Sequence, residues 1–431
     1  MKKEIRAYFK KYAWARNIYY YFNKKTLKNI KLEQKFHGEI KSFIGKRTNY
    51  NKFRINLVIH SISKRDRFGG IATSLKIFDK LCVHFDEIRI IVTDVIPYDD
   101  DLDDFIGWKI DRNGDSISNK AIVSCDFRSG KPISIGDNDI FLSTSWWGSL
   151  TCIDIINWQN STYGNYKNRK FIYLIQDFEC GFYPWSSHYI LAEQSYRYPN
   201  KTIAIFNSEF LSIFMKKNGY EFYNQYTYFP KLNKNLKEFL KINNIININK
   251  ARKKKIIIYG REDVQRNCFT LILESLRLIS EIRNCNEWEF VSLGIQHAQI
   301  VHENLNVNSK GKVSLQEYAI HMSEAFAGIS LMASPHPSYP PLEMAAYGIR
   351  VVTNNFESKN MSVLAKNIKS LDFCTPENIK HEIIKIMDSY EQSPLGLFDN
   401  DFINSYVDGV SEDENISGIC EALMRENRLL E

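Results

Sequence analysis

The sequence predicts an α/β protein: two doubly wound parallel-sheet domains facing each other, with an N-terminal helical extension. Three observations predict it. From residue 54 onward, short apolar runs of strand length alternate with helical stretches. The alternation breaks over residues 231–254, where Lys, Asn and Ile dominate, and then restarts. Residues 1–50 carry a net charge of +11, although the whole chain carries only +7. At 431 residues, with 44% apolar and 25% charged residues, the chain can bury two cores, which excludes disorder and a disulfide-stapled scaffold.

Each element follows in order. Over 1–50, Ile5, Tyr8, Phe9, Tyr12, Ile18, Tyr19 and Phe22 recur near helical spacing with Lys and Arg between them. Such a basic aromatic helix suits an anionic membrane surface, or else it packs on its own protein. The first domain spans 51–230. Its strands are Arg54–His60, Ile88–Thr93, Ile140–Ser143, Phe171–Ile175 and Thr202–Asn207, and its helices Ile71–Leu81 and Glu209–Lys217. Residues 231–254 read as a linker with a short helix. The second domain, 255–390, has strands Lys255–Tyr259, Trp288–Leu293, Ala327–Met332 and Arg350–Thr353. Its helices are Asn267–Ser280, Leu315–Met322 and Pro341–Tyr347, and another opens at Thr375-Pro376 with Thr as N-cap. Residues 391–431 are expected to be helical and to pack back on the first domain; Ser411 and Glu414 form a capping box for a helix over 412–429.

Several classes are excluded. None of the eight cysteines forms C-x-x-C, so no zinc knuckle or thioredoxin-type pair is written here. No apolar run reaches the roughly 18 residues of a membrane span, and the N-terminus has no signal-peptide core. The expectation is a cytoplasmic protein, peripheral at the inner membrane face if residues 1–50 meet lipid. Basic charge alone does not mark a nucleic-acid partner, and none is expected.

Two facing domains of this class place a ligand crevice at the carboxyl ends of their strands. Five motifs fall there. FGGIATSL follows the first strand, and Gly69 and Gly70 let backbone approach a phosphate or sugar at a helix start. YGREDVQRN places Arg261 at a strand end and Arg266 before the next helix, as suits a diphosphate. SKGKVSLQEYA brings Lys310 and Lys312 to a helix start. In ASPHPSYPPLEMAAYGIRVVT, Glu343 falls in the expected first helical turn, where it either accepts from ribose hydroxyls or complements the helix dipole. QDFECGFYPWSSHY offers Asp177, Glu179 and aromatic platforms for sugars. No G-x-G-x-x-G and no P-loop is present. Asp99–Asp104 and Asp137–Asp139 read as a solvated loop and a turn, so no metal site is expected.

The order of a G-R strand end, a lysine loop and P-P-L-E-M-A-x-x-G-x-R-V-V resembles the second domain of GT-B glycosyltransferases of family 4. Glu343 matches the second Glu of that family's E-x-x-x-x-x-x-x-E pattern. The first falls on Pro335, leaving the donor-sugar contact to His336 or the loop backbone. Arg266 stands near the family's usual Lys. More closely, the runs RFGGIATSL, QDFE-x-x-FYPWSSHYILAE, YGR-x-x-x-x-RN-x-FTLI and ISLMASPHPSYPPLEMA resemble the WsaF-type rhamnosyltransferases of bacterial surface polysaccharides. The resemblance implies a GT-B fold, a dTDP-β-L-rhamnose donor, a glycan acceptor, retention of anomeric configuration and no metal or other cofactor. It carries onto Arg261, Lys312 and Glu343 as donor-nucleotide residues and onto Asp177 on the acceptor side. A GT-B-fold nucleotide-sugar epimerase and a non-catalytic glycan-binding homologue are the alternatives.

Overall fold

The computed structural model describes residues 44–67, 69–112, 119–124, 131–246, 250–427 and 429. Most of the basic extension, residues 1–43, and Phe68 lie outside the described residues. The end of that extension departs from the helical reading. Gly45–Arg47 forms a strand, β1, paired in parallel with Ile133–Ile135. Next to it, the Tyr163 hydroxyl accepts from Thr48 N at 3.0 Å and donates to Thr48 O at 2.9 Å. Backbone pairing with a distant segment, which helical periodicity cannot register, decides this stretch.

The first half continues with β2 Arg54–Ile59, β3 Glu87–Val92, β4 Lys109–Asp111, β5 Ala121–Val123, β6 Ile133–Ile135, β7 Asp139–Ser143, β8 Phe171–Ile175, β9 Thr202–Phe206 and β10 Asn224–Thr227. Eight of these form one parallel sheet in the order β10-β9-β8-β7-β2-β3-β5-β4. Helix Gly69–Cys82 covers one face with Ile71, Ile77, Phe78 and Leu81. Helices Trp146–Tyr163, Ser187–Gln194 and Glu209–Lys217 cover the other. Both faces are therefore apolar, and the strands read as unbroken runs such as RINLVI, buried at every position.

The second half holds β11 Lys253–Gly260, β12 Glu289–Gly294, β13 Ile300–His302, β14 Leu305–Gly311, β15 Ala325–Ile329, β16 Arg350–Asn354 and β17 Ile368–Leu371. They form one sheet, β13-β14-β12-β11-β15-β16-β17, parallel except for the β13–β14 hairpin. Helices Phe269–Ile282 and Pro376–Ser389 pack on one face, and Leu315–Glu324 and Tyr339–Ala346 on the other. Thr375 caps its helix, accepting from Asn378 N at 3.2 Å, with Pro376 in the first turn. Gly348 ends helix Tyr339–Ala346 at φ +77°, where a β-carbon would lie 2.5 Å from the Phe398 ring.

Residues 231–254, read as a linker, contribute to the second core. Helix Lys234–Ile242 buries Leu236 and Leu240 there, and the Tyr347 hydroxyl donates to Leu236 O at 2.7 Å. The C-terminal segment divides between the halves. Phe402, Ile403, Tyr406 and Val407 join the second core. Helix Glu412–Asn427 lies on the first, burying Ile416, Cys420 and Leu423 and pairing Lys76 with Glu412 at 2.5 Å. Its capping box forms: Ser411 N donates to Glu414 at 3.1 Å and Glu414 N to Ser411 Oγ at 3.2 Å.

In each sheet the chain winds outward from a central strand, β2 or β11, then returns beside it and winds the other way. The reversal opens a crevice at the carboxyl ends of β2 and β7, and a second at those of β11 and β15.

Candidate active site

The two crevices meet. Asp177, two residues past the end of β8, accepts from the Arg266 guanidinium through Oδ2 and from Ser334 Oγ through Oδ1. Arg266 lies in the loop after β11 and Ser334 in the loop after β15. Phe178 N adds a third hydrogen bond to Asp177 at 2.8 Å. One buried carboxylate of the first half thus joins two loops of the second across the cleft. The Arg266 guanidinium lies 4.2 Å above the Phe182 ring.

The cations of the second half share one sheet edge. The ladder sets Gly260 opposite Gly294 and Leu293 opposite Gly311, so β11, β12 and β14 end nearly level. Arg261 and Lys312 are the residues that follow Gly260 and Gly311. Gly294 makes the approach feasible at φ +136°; a β-carbon there would lie 2.5 Å from Gly260 O and 3.1 Å from Arg261 Cγ. The Arg261 side chain keeps 39% of its surface, with Asp263 at 4.0 Å. Lys312 is exposed. The lysine loop is shorter than the sequence suggests: β14 runs through Lys310 to Gly311, and Ser314 caps the next helix in a capping box with Glu317.

Glu343 stands differently from the expectation. The helix starts at Tyr339, so Glu343 falls beyond the first turn, where the helix dipole has largely faded. Burial raises its pKa to about 7, opposed by the Tyr318 hydroxyl beside it. Gly69 and Gly70 open helix Gly69–Cys82 and remain exposed, with open space where a Gly69 β-carbon would sit. Gln176, just before Asp177, donates to Gly70 O at 3.2 Å, so this helix start joins the same edge as the QDFE motif.

Three further groups line the meeting point. Glu179, buried, accepts from Trp146 N at 2.6 Å at the start of helix Trp146–Tyr163. Burial raises its pKa to about 8; Trp146 N opposes the rise and Asp177 adds to it. Lys359 is fully buried, donates to Met332 O at 2.6 Å, and has its pKa lowered by burial to about 7, with Asp177 opposing. His336 accepts from Ser338 N at 3.1 Å through Nδ1, while its buried Nε2 has no hydrogen-bond partner. Burial lowers its pKa to about 4. Lys359 was not legible as a site residue, because a lysine outside any motif reads as surface. Ser334 lay within the expected loop, and its contact with Asp177 depends on the docking of the halves.

The acidic runs are occupied by structural contacts. Asp101 is buried and accepts from Tyr98 N and Lys64 N at 3.0 and 3.2 Å; Asp103 pairs with Lys64, and Asp104 with Arg67 at 2.6 Å. Asp99, Asp100, Asp103 and Asp104 stay exposed, as expected of a solvated loop, and only Asp101 is drawn inside. Asp139 bonds Arg54 at 2.7 Å through each carboxylate oxygen, and Asp137 pairs with Lys167 at 2.8 Å and with Arg169.

Two doubly wound α/β domains whose strand ends face one cleft are the architecture of the GT-B glycosyltransferases. Comparisons agree on the fold. Sucrose-phosphate synthase from Thermosynechococcus elongatus superposes with a TM-score of 0.54 at 11% identity, over 88% of this chain and 100% of that one. Trehalose-6-phosphate synthase OtsA gives 0.50 at 9% identity, over 86% and 98%. No curated protein matches in sequence. The WsaF N-terminal domain family matches residues 54–209 and the WsaF C-terminal domain family residues 254–384. The chain belongs to the WsaF family and is a glycosyltransferase of the GT-B fold.

Proposed function

We propose that this enzyme transfers L-rhamnose from dTDP-β-L-rhamnose to a glycan acceptor in bacterial surface polysaccharide synthesis, with retention and without a metal. The observation that carries the reading is the level ending of β11, β12 and β14, which brings Arg261 and Lys312 to one edge beside the crevice. Two cations there neutralise a departing diphosphate where its charge develops, the task a divalent metal performs elsewhere. Glu343 holds a ribose hydroxyl of the nucleotide. Asp177, on the opposite edge, faces the acceptor. A front-face route, in which the leaving diphosphate helps to deprotonate the acceptor hydroxyl, needs no protein nucleophile and preserves the anomeric configuration.

A donor panel of dTDP- and UDP-sugars read by thermal shift identifies base and sugar together. Radiolabelled donor, incubated with and without a glycan acceptor, then reads the reaction. Label in a glycan product, undiminished by EDTA, supports the proposal. Conversion of the donor sugar without acceptor would instead mark an epimerase, and loss of transfer on chelation would remove the metal-independent route.

A further inference from the structure

From the stacked Trp185–Tyr189 pair beside the cleft, we infer an acceptor-glycan platform: a site for one neutral pyranose ring of the acceptor. The inference rests on the proposed transferase reading and extends it to a part of the molecule that reading does not use. The Trp185 indole is 92% exposed, the highest among the exposed large hydrophobic side chains described. It lies parallel to the Tyr189 ring, 5.4 Å between centroids and 4° between planes. Tyr189 is itself partly buried against the first core, and its backbone N donates to the helix cap Ser186 at 3.3 Å. The exposed ring is therefore backed by a fixed one.

The platform lies within a short reach of the cleft. Phe182, three residues before Trp185, lies beneath the Arg266 guanidinium that pairs with Asp177. Three residues span at most about 10 Å of backbone. A glycan whose reacting hydroxyl lies at Asp177 can thus rest a neighbouring ring on Trp185.

Size and charge select the occupant. An aromatic side chain offers about 150–250 Å² in all, suited to the C–H face of one sugar ring, whereas a stable protein interface needs roughly 800 Å² per partner. Residues 178–196 contain no Lys or Arg and two Glu, Glu179 and Glu193, so nothing in this segment attracts an anionic bilayer.

The test is saturation-transfer NMR on the full chain with methyl pyranosides of the rhamno, gluco, galacto and N-acetylgluco series. Trp185→Ala and Trp185→Phe are compared with the parent, and dTDP titration and the melting temperature are measured on each. At least one glycoside should receive saturation from the parent. Its affinity should fall roughly two- to ten-fold in Trp185→Ala and recover in Trp185→Phe, with dTDP affinity and melting temperature unchanged. Glycoside binding absent from the parent, or equal in Trp185→Ala, would overturn the platform while leaving the donor site standing. Vesicle binding that depends on Trp185 would overturn it in favour of a membrane contact. Loss of dTDP binding in the parent would instead strike the transferase reading.

Discussion

The two halves share a winding order, but the buried arginine pair of the first and the crevice arginine of the second stand at opposite ends of it; each half also holds an arginine at the other end, Arg67 after β2 and the buried Arg252 before β11. In the first half, Arg54 opens β2 and Arg89 lies within β3, and both are buried on Asp139; Arg54 bonds both carboxylate oxygens at 2.7 Å and Arg89 approaches at 3.5 Å. Burial lowers the pKa of Arg89 to about 9, with Arg54 adding to the fall and Asp139 opposing it. In the second half, Arg261 stands at the carboxyl end of the sheet, partly exposed, with Asp263 no nearer than 4.0 Å. The first arrangement spends its charge within the protein. The second presents it to whatever enters the crevice. An arginine in an α/β domain is therefore read by its position on the strand as much as by its type.

The comparison breaks most sharply on Asp139. Asp139→Ala leaves two buried guanidiniums without their carboxylate and should destabilise the first half by about 3–5 kcal/mol. Chemical denaturation should show an early first transition, or an early single one if the halves unfold together. A midpoint equal to the parent's would mean that the network is not structural.

Arg261→Ala and Lys312→Ala should do the reverse, sparing stability and lowering turnover. Removing a donor aimed at developing charge typically costs on the order of 10²–10³ in kcat. Steady-state kinetics with parallel melting curves separates the effects. Activity close to the parent's in either variant removes that residue from the phosphate site.

Much of this contrast is legible in the sequence. Continuous β-branched runs mark the central strands of both sheets, and the GR, PPLE and QDFE motifs stand at their carboxyl ends. The rest depends on distant contacts. Helix Trp146–Tyr163 is buried on several sides, including Trp146, Cys152, Ile153, Ile156 and Gln159, so no amphipathic stripe announces it. The edge strands β4, β10 and β17, and β5 beside β4, are three or four residues long and owe their existence to neighbours. Arg266 reads from its motif as a second phosphate ligand, yet its partner here is Asp177, 89 residues away in sequence. No local pattern contains that pairing.

Glu343 sharpens the second half at smaller cost. The contact proposed for it, with a ribose hydroxyl, would lie far from the breaking bond, so Glu343→Ala should act mainly on KM. Nucleotide affinity should weaken about ten- to a hundred-fold, and less in Glu343→Gln. The pH dependence has a definite sign. With its pKa raised to about 7 in the ligand-free protein, and the ionised carboxylate the stronger acceptor of a ribose hydroxyl, affinity should rise a few-fold as pH passes through 7 and then level off. For folding the same shift means that the unfolded chain releases this proton first. Its contribution to stability therefore falls from the ordinary carboxylate range up to about pH 7. Titrations below and above pH 7 on the parent and Glu343→Gln check this; an equal slope in both would assign the dependence to another group.

The central claim is a division of labour: the second half holds the donor diphosphate and the first half the acceptor. Calorimetric titration of dTDP into the parent, the double variant Arg261→Ala/Lys312→Ala, and Asp177→Asn tests it most directly. The account predicts clear binding to the parent, strong weakening in the double variant, and undiminished or tighter binding to Asp177→Asn, whose weakened pairing frees Arg266. Binding to the double variant as tight as to the parent, or its loss in Asp177→Asn, would contradict the division.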